Sequence, residues 1–459
     1  MHAFRMTKIF FLLLAVSCSS FLHAQELGAE QMKEDLTFLM DKMEEFHPNI
    51  DHYNPDIKAK WDAFLDLKEE SYDPIAQFSL ISRIVAVANE GHYGLGNWED
   101  KVHKGFLDDE FRYLPIAVKI VGDRIFIWDL FTEKDELERG HEIISINSVG
   151  AKDILDKLRQ HLPSDGNIRS YQNLTLNTGF NWMYYLYIER AEKFLIQVKD
   201  DIRGRSGRFE IPALTRGEMS INLRARRAGQ GVQAFVPKDI SEVYEWKQEE
   251  EYALLRLKTF RRSLLEKYKI KAKDLYKDLF KELSRTGKNF LVIDLRSNYG
   301  GRTEMAYEML PYIQQKASSK YFKKSYSWKG RSKSYKTPSK SRFAFKGKIY
   351  VLINGRTFSA AASLARYLKE FGGATLIGEE AGSRYDGFSA GSQQIIYLPN
   401  SNFRIGIPRY RTEYAGPGGQ AAKERGLIPD FAVDYSLEDL LKEADKEMAL
   451  AKSLISINK

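Results

Sequence analysis

The sequence is poor in the residues that would staple it or hold a metal through sulfur. One cysteine occurs among 459 residues, Cys18. It lies in MHAFRMTKIFFLLLAVSCSSFLHAQE, where Arg5 and Lys8 precede an apolar run from Ile9 to about Leu22, followed by the small-residue cleavage site Ala24-Gln25. That run is too short to span a bilayer, and its flanks suit a secretory signal peptide over residues 1–24. Cleavage there leaves no thiol, which excludes disulfides, cysteine nucleophiles and thiolate metal sites. The alternative is a lipoprotein anchor at Cys18, because Ala15-Val16-Ser17-Cys18 resembles a lipobox lacking its first leucine. No later segment is long and apolar enough for a membrane helix. The mature protein is therefore expected to be exported, periplasmic or secreted, and soluble, with no transmembrane segment after the leader.

Two further scarcities narrow the chemistry. The eight histidines end at His161, so the C-terminal two-thirds of the chain offers no imidazole. The stretch from Lys316 to Lys348 contains no acid while carrying many Lys, Arg and aromatic residues. Such a patch can read as a nucleic-acid surface, but a solvated loop and hairpin suits an exported chain better. The net charge of +8 is modest for this length, so no nucleic-acid partner is expected. Oligomeric state is not legible.

What is present has the texture of an ordinary globular protein, 43% hydrophobic and 29% charged. Apolar residues recur at helical spacing from about Glu30 to Val87, giving an N-terminal helical unit over 25–100. Short strands follow from Tyr113, and GHEIISINSVGAKDILDKL reads as a strand, a turn and a helix from about Ala151. Residues 200–245 show no strong period and read as irregular or weakly stranded, within a connecting segment 166–245. Beyond Tyr252 the pattern sharpens. YALLRLKTF, NFLVIDL, KIYVLING and ATLIGEE are buried-strand runs, separated by the helical stretches RSLLEKYKIKAKDLYKDLFKELSRTG, Glu304 to Gln315, and Ser359 to Phe371. Strands alternating with helices predict a largely parallel α/β core, here 246–435, followed by a C-terminal helix over 436–459.

The pentapeptide Gly387-Phe388-Ser389-Ala390-Gly391 matches G-x-S-x-G, a nucleophile pattern that requires a strand before the serine and a helix after it. Loop-like AGSRYD precedes it, strand-like QQIIYLP follows, and no histidine lies downstream. Ser389 is thus expected in a loop beside a cleft, not as a nucleophile. Ser359, in INGRTFSAAASLARYL, has the required context: a strand, a tight turn, and a helix whose N-terminus favours an oxyanion. Its bland alternative is an N-cap serine.

VIDLRSNYGG, YVLINGRTFSAAASLARYL, LIGEEAG and ERGLIPDF together resemble the C-terminal-processing (tail-specific) serine peptidase family. HPNI, EGHYGL and RGHEIISINS extend the resemblance over most of the chain. It implies a ClpP/crotonase-like α/β core with parallel sheet and helices, the N-terminal helical unit, and a PDZ-like β-rich module near 106–165. It also implies a peptide or protein substrate, with no cofactor and no metal. In the Ser–Lys branch of that family a lysine stands twenty-five residues after the serine, where this chain has Arg384, which cannot serve as a base; Lys369 reads as a solvated helix residue. The tricorn-core-like Ser–His–Glu branch fits better. Glu90-Gly91-His92-Tyr93 resembles its D-G-H-T-like motif with two departures, and Glu424 in ERGLIPD resembles its glutamate, although Glu413 is near.

The resemblance therefore implies Ser359 as nucleophile, His92 as general base and Glu424 as its orienting acid. The oxyanion would accept from the N–H of Ala360 and of a glycine in the turn, Gly300 or Gly301. Asp294, Arg296 and Asn298 would brace that turn. The alternative is a catalytically inactive relative that binds peptides without cutting them, and a weaker one is an esterase on the same site.

Overall fold

The computed structural model describes residues 26–96, 111–132, 137–200, 204–229, 239–315, 321–415 and 424–458. The leader reading and Cys18 lie outside the described residues. Helix α1 (Ala29–Phe46) buries Met32, Leu36, Leu39, Met40 and Met43, one stripe at helical spacing. Helix α2 (Pro74–Val87) starts where the Asp73 side chain accepts the Ala76 N–H at 2.7 Å and Pro74 occupies the first turn. It ends just before Glu90-Gly91-His92, and the short strand β1 (Gly94–Gly96) follows.

An antiparallel sheet comes next, built from β2 (Ile116–Val121), β3 (Arg124–Leu130) and β4 (Glu142–Ile146). After helices α3 (Ala151–Arg159) and α4 (Arg169–Tyr187), it is completed by β5 (Lys193–Asp200) and β6 (Arg205–Pro212). Its order is β2-β3-β4-β5-β6, so the sheet runs well past residue 165. One buried cluster joins its inward side chains, such as Ile116 and Val118, to α1 and α2. The segment expected to be irregular also holds a 14-residue helix, α5 (Arg216–Gly229). Its start is a capping box, with Glu218 N–H donating to Thr215 Oγ1 at 3.2 Å and Thr215 N–H donating to Glu218 Oε2 at 2.8 Å.

The α/β core follows the sequence pattern closely. Strand β7 (Tyr244–Gln248) pairs antiparallel with β8 (Tyr252–Leu257); helix α6 (Ala272–Thr286) leads to β9 (Phe290–Asp294), parallel to β8. The long helical stretch before β9 is broken, a separate Arg262–Lys267 helix ending near Lys269, which has φ +54°. Likewise the helix expected over Glu304 to Gln315 is two single turns, Glu304–Tyr307 and Leu310–Ile313, the second with Pro311 in its first turn. A hairpin, β10 (Tyr321–Ser327) with β11 (Ser332–Lys336), occupies the basic stretch.

Strand β12 (Lys348–Ile353), helix α7 (Ala360–Gly372) and strand β13 (Thr375–Gly378) continue the parallel sheet. Leu255, Ile293, Val351 and Ile353 face α6 and α7. Leu254, Val292 and Leu352 face the opposite way, toward Met448, Ala451 and Ile455. Burial on both faces is why these strands read as unbroken apolar runs.

Two long strands, β14 (Gly387–Tyr397) and β15 (Arg404–Tyr414), then leave the core. GFSAG is therefore the start of a strand, not a loop. Pairing explains the difference: Gly387 to Ala390 lie opposite Glu413 to Tyr410, and β1 adds to the other edge of β15 at Gly406 to Arg404. Strand β16 (Phe431–Ala432), parallel to β13, is followed not by one C-terminal helix but by the short helix Leu437–Leu441 and then helix α8 (Lys446–Ile457), which supplies the back-face residues named above.

The far end of the β14–β15 hairpin reaches the N-terminal core, where Leu398, Phe403 and Ile405 are buried with α1 and α2. Asp35 of α1, itself fully buried, accepts the Asn400 and Ser401 N–H groups at 2.8 Å each. An Asp35→Ala variant strands both donors. Urea denaturation is expected to show a loss of about 3 kcal/mol, with an unchanged denaturant slope.

Candidate active site

The turn before Ser359 is fixed by a second turn beside it. Asn354 Oδ1 accepts the Ser297 N–H at 2.9 Å, Thr357 Oγ1 donates to Leu295 O at 2.9 Å, and the Phe358 N–H donates to Asn298 O at 3.0 Å. Ser359 itself takes φ +54°, ψ −123°, a sparsely populated conformation for a residue with a Cβ. Holding it there costs about 1–3 kcal/mol, which the surrounding bonds must sustain. Its N–H donates to Ser383 Oγ at 2.8 Å, and its carbonyl accepts from Ser363. Although Ser359 precedes the first residue of α7, its hydroxyl makes no capping bond. The N-cap role is not used, and the hydroxyl is left at the wall of a cavity of about 530 Å³.

Gly301, Ala360 and His92 line the same cavity. Of the expected oxyanion donors, Gly300 drops out, because its N–H donates to Asn298 Oδ1 at 2.8 Å. The Gly301 and Ala360 N–H groups have no hydrogen-bond partner among the described residues. A Cβ on Gly300 would stand 2.6 Å from Phe358 O and 2.7 Å from Ala360 N, so only glycine lets the two turns approach this closely. Asn298 Nδ2 donates to Leu257 O at 2.8 Å, and Arg296 pairs with Asp294 at 2.8 Å and with Asp445 at 2.7 Å. These three residues brace the turn.

His92 is sandwiched between aromatic rings, Phe358 at 4.6 Å and Phe388 at 4.9 Å between centroids, both nearly parallel to it. Phe358 is the neighbour of Ser359 and Phe388 belongs to GFSAG, so the sandwich ties the imidazole to both serine motifs. Its two ring nitrogens are buried without a hydrogen-bond partner among the described residues, Ser359 Oγ included. Burial pushes the imidazole down to about 4, against the opposing pull of the Glu90 charge.

Glu90, fully buried, anchors the loop that carries His92. It accepts the Ser389 hydroxyl at 2.8 Å and the Ser389 N–H at 3.1 Å, with His47 Nε2 at 3.4 Å and the Arg384 guanidinium at 3.7 Å. Burial disfavours its charge, but His47, Arg384 and Ser389 outweigh that penalty and hold the carboxyl below its usual range.

Residues 251–433, which contain this serine, match peptidase family S41. That segment, the α/β core of the chain, belongs to the family. Its members are serine-type peptidases, and this chain is one. No curated protein sequence matches the chain. Among solved structures, mature CPAF is similar over 93% of this chain and 96% of its own, at 12% identity and a TM-score of 0.63. Mature CPAF complexed with lactacystin gives 94%, 98%, 13% and 0.65. The photosystem II D1 C-terminal processing protease covers 88% of this chain at 13% identity, with a TM-score of only 0.42. At such identity the likeness to CPAF is one of fold.

Arg384, which stands where the Ser–Lys branch has its lysine, is a buried structural cation. It donates to Asn89 O and lies 4.0 Å from the centroid of the Tyr53 ring. Glu424 is not brought to the imidazole: its carboxylate accepts Asn167 Nδ2 at 3.1 Å, and no hydrogen bond or ion pair joins it to His92. Its backbone carbonyl accepts the Asn167 N–H at 3.0 Å, so it supports the 165–167 loop. Glu413 pairs with Arg411. One acid that sequence reasoning missed is Asp165, which accepts the Gly91 N–H at 2.6 Å. It is fully buried, and burial pushes its carboxyl up. Nothing in HLPSDGNIR signals this, because the contact spans 74 residues.

Among the described residues no group of His, Cys, Asp and Glu is placed to hold a metal ion, and no helix is long and apolar enough to cross a membrane. Ser389 is wholly buried, its hydroxyl donating to Glu90. A Ser389→Ala variant is expected to keep its labelling by a fluorophosphonate probe while losing about 1–2 kcal/mol in thermal unfolding.

Proposed function

We propose that the chain hydrolyses peptide bonds through an acyl-enzyme on Ser359, with His92 as general base. The observation that carries this reading is Ser359 itself: a strained serine at a helix start whose hydroxyl caps nothing and faces a cavity shared with an imidazole. Neutral His92 takes the Ser359 proton as Oγ attacks the scissile carbonyl carbon. The hydrogen bond between them forms with substrate in place, as catalytic hydrogen bonds commonly do. The oxyanion accepts from Gly301 and Ala360 N–H. As the C–N bond breaks, the imidazolium returns its proton to the leaving amine. A water then attacks the ester, its proton again passing to His92, and Ser359 is released.

In this reading the aromatic sandwich and the Glu90 loop position the imidazole. Glu424 acts through the loop that carries Asp165. The leader places the mature protein outside the cytoplasm, and the unit around 106–165 is a PDZ-like module within the larger antiparallel sheet. The second reading, a relative that binds peptides without cutting them, is favoured by the His92 nitrogens, which have no partner among the described residues.

A fluorophosphonate probe separates the two. Labelling of the wild type, its loss in Ser359→Ala, and a drop of about 10³-fold in kcat/KM for His92→Ala are expected. Labelling that survives in Ser359→Ala, or none in the wild type, would overturn the assignment. The pH dependence follows from the buried base. With a folded value near 4, His92 stays neutral and competent down to mildly acidic pH. The acid limb of kcat/KM is expected to have its midpoint near pH 4 to 5, not near the usual 6.5 of histidine. A midpoint at 6.5 would mean that the imidazole is solvated in the working enzyme.

A further inference from the structure

The catalytic cavity is unevenly charged. Among the described residues no aspartate or glutamate lines it, and with His92 neutral the one charged side chain among them is Lys323. Lys323 sits on β10, opposite Tyr335 on one side and Tyr414 on the other. Its Nζ lies 4.5 Å from the Tyr335 ring centroid, 5.6 Å from Tyr307 and 5.9 Å from Phe322. Cation–π contact of this kind holds an ammonium in place without neutralising it. Among the described residues no carboxylate lies within ion-pair distance of Nζ, and no hydrogen bond occupies it. Glu304, the acid whose charge acts on Lys323, is engaged by Arg302 through two contacts of 3.1 Å. Burial pushes the Lys323 ammonium down, Glu304 opposes this and Lys333 adds to it. A cation partly withdrawn from water and left without a counterion is an incomplete ion pair, which a ligand anion would complete.

We propose that Lys323 is a specificity-determining residue that binds a carboxylate of the peptide substrate within the cavity. This rests on the peptidase reading given above. The carboxylate belongs either to an Asp or Glu side chain near the scissile bond or to the terminal carboxylate of a peptide cut close to its end. The charge is the same in both cases and the peptides below tell them apart. Because the contact forms in the ground state and persists through the reaction, its effect falls on KM more than on kcat.

The test uses the full mature chain and one peptide sequence made in four forms, with Glu or Gln beside the cleaved bond and a free or amidated C-terminus. The wild type is expected to prefer one carboxylate-bearing form at least tenfold in kcat/KM, mostly through KM. Lys323→Met should bring that ratio to within about twofold of unity, Lys323→Arg should restore it, and Lys323→Glu should invert it. Loss of the preference on amidation assigns the terminal carboxylate; loss on replacing Glu by Gln assigns the side chain. A wild type indifferent to both, or a preference that survives in Lys323→Met, would overturn the proposal.

Binding of the same fluorescent peptides to Ser359→Ala, read by anisotropy, needs no turnover. Carboxylate-dependent binding that vanishes in Ser359→Ala/Lys323→Met, with no cleavage by the wild type, would sustain the Lys323 site while sinking the peptidase reading. Cleavage without any carboxylate preference would do the reverse.

Discussion

The buried carboxylate of Glu90 is the contact on which the site depends. It belongs to the loop after α2, yet the groups holding its charge come from elsewhere: Ser389 at the start of β14, Arg384 just before it, and His47 after α1. A carboxylate withdrawn from water without such partners would protonate or refuse burial. With them, it locks the helical N-terminal region to the α/β core two residues from His92. The imidazole reaches a cavity built by residues about 210 to 320 positions later because this ionic contact closes that loop. Breaking such a pair by removing one partner typically costs about 3–5 kcal/mol, more than most single surface contacts contribute.

A second constraint acts at Ser359. The strained backbone there persists because two turns, 295–301 and 354–358, share hydrogen bonds through Asn354, Thr357 and Asn298. The Gly300 N–H is taken by Asn298 and the Ser359 N–H by Ser383, while the Gly301 and Ala360 N–H groups at the cavity have no partner among the described residues. Which amides can stabilise an oxyanion is thus decided by which ones the scaffold has already used. The same turn carries Phe358 against the His92 ring, so Ser359, the Gly301 and Ala360 N–H groups and the imidazole are placed by one compact set of contacts.

Much of the core was legible because its signals are local. NFLVIDL and KIYVLING are apolar at every position since both faces of those strands are covered, and Gly287 and Gly373 end helices in left-handed conformations that favour glycine. Ser359 was legible for a related reason, as strand, turn and small-residue helix lie within twenty residues. What escaped is non-local. GFSAG looked like a loop because its strand partner, 410–413, lies beyond an intervening turn, and register pairing is invisible to local composition. Helix α5 hid among arginines although its capping box, Thr215 to Glu218, was there to read. Asp165 and Lys323 carried no motif at all; each matters for what the fold brings beside it.

The electrostatics of Glu90, Asp165 and His92 follow one logic. Glu90 has donors on both oxygens and stays charged, Asp165 has fewer partners and is driven toward its neutral form, and His92 has none and is driven neutral as well. A histidine so strongly desolvated is a weak base at rest, which would be a poor choice if nothing favoured its cation during reaction. The Glu90 charge does favour it, since it is the opposing influence on the His92 equilibrium. In a low-dielectric interior that attraction needs no direct hydrogen bond to be felt. In the proposed mechanism an anion fixed two residues away, and held ionised by the core itself, would stabilise the imidazolium as it forms. In that mechanism the carboxylate that locks the loop in place is then also the charge that would help the base, and Ser389, the serine of GFSAG, is what keeps that charge in position.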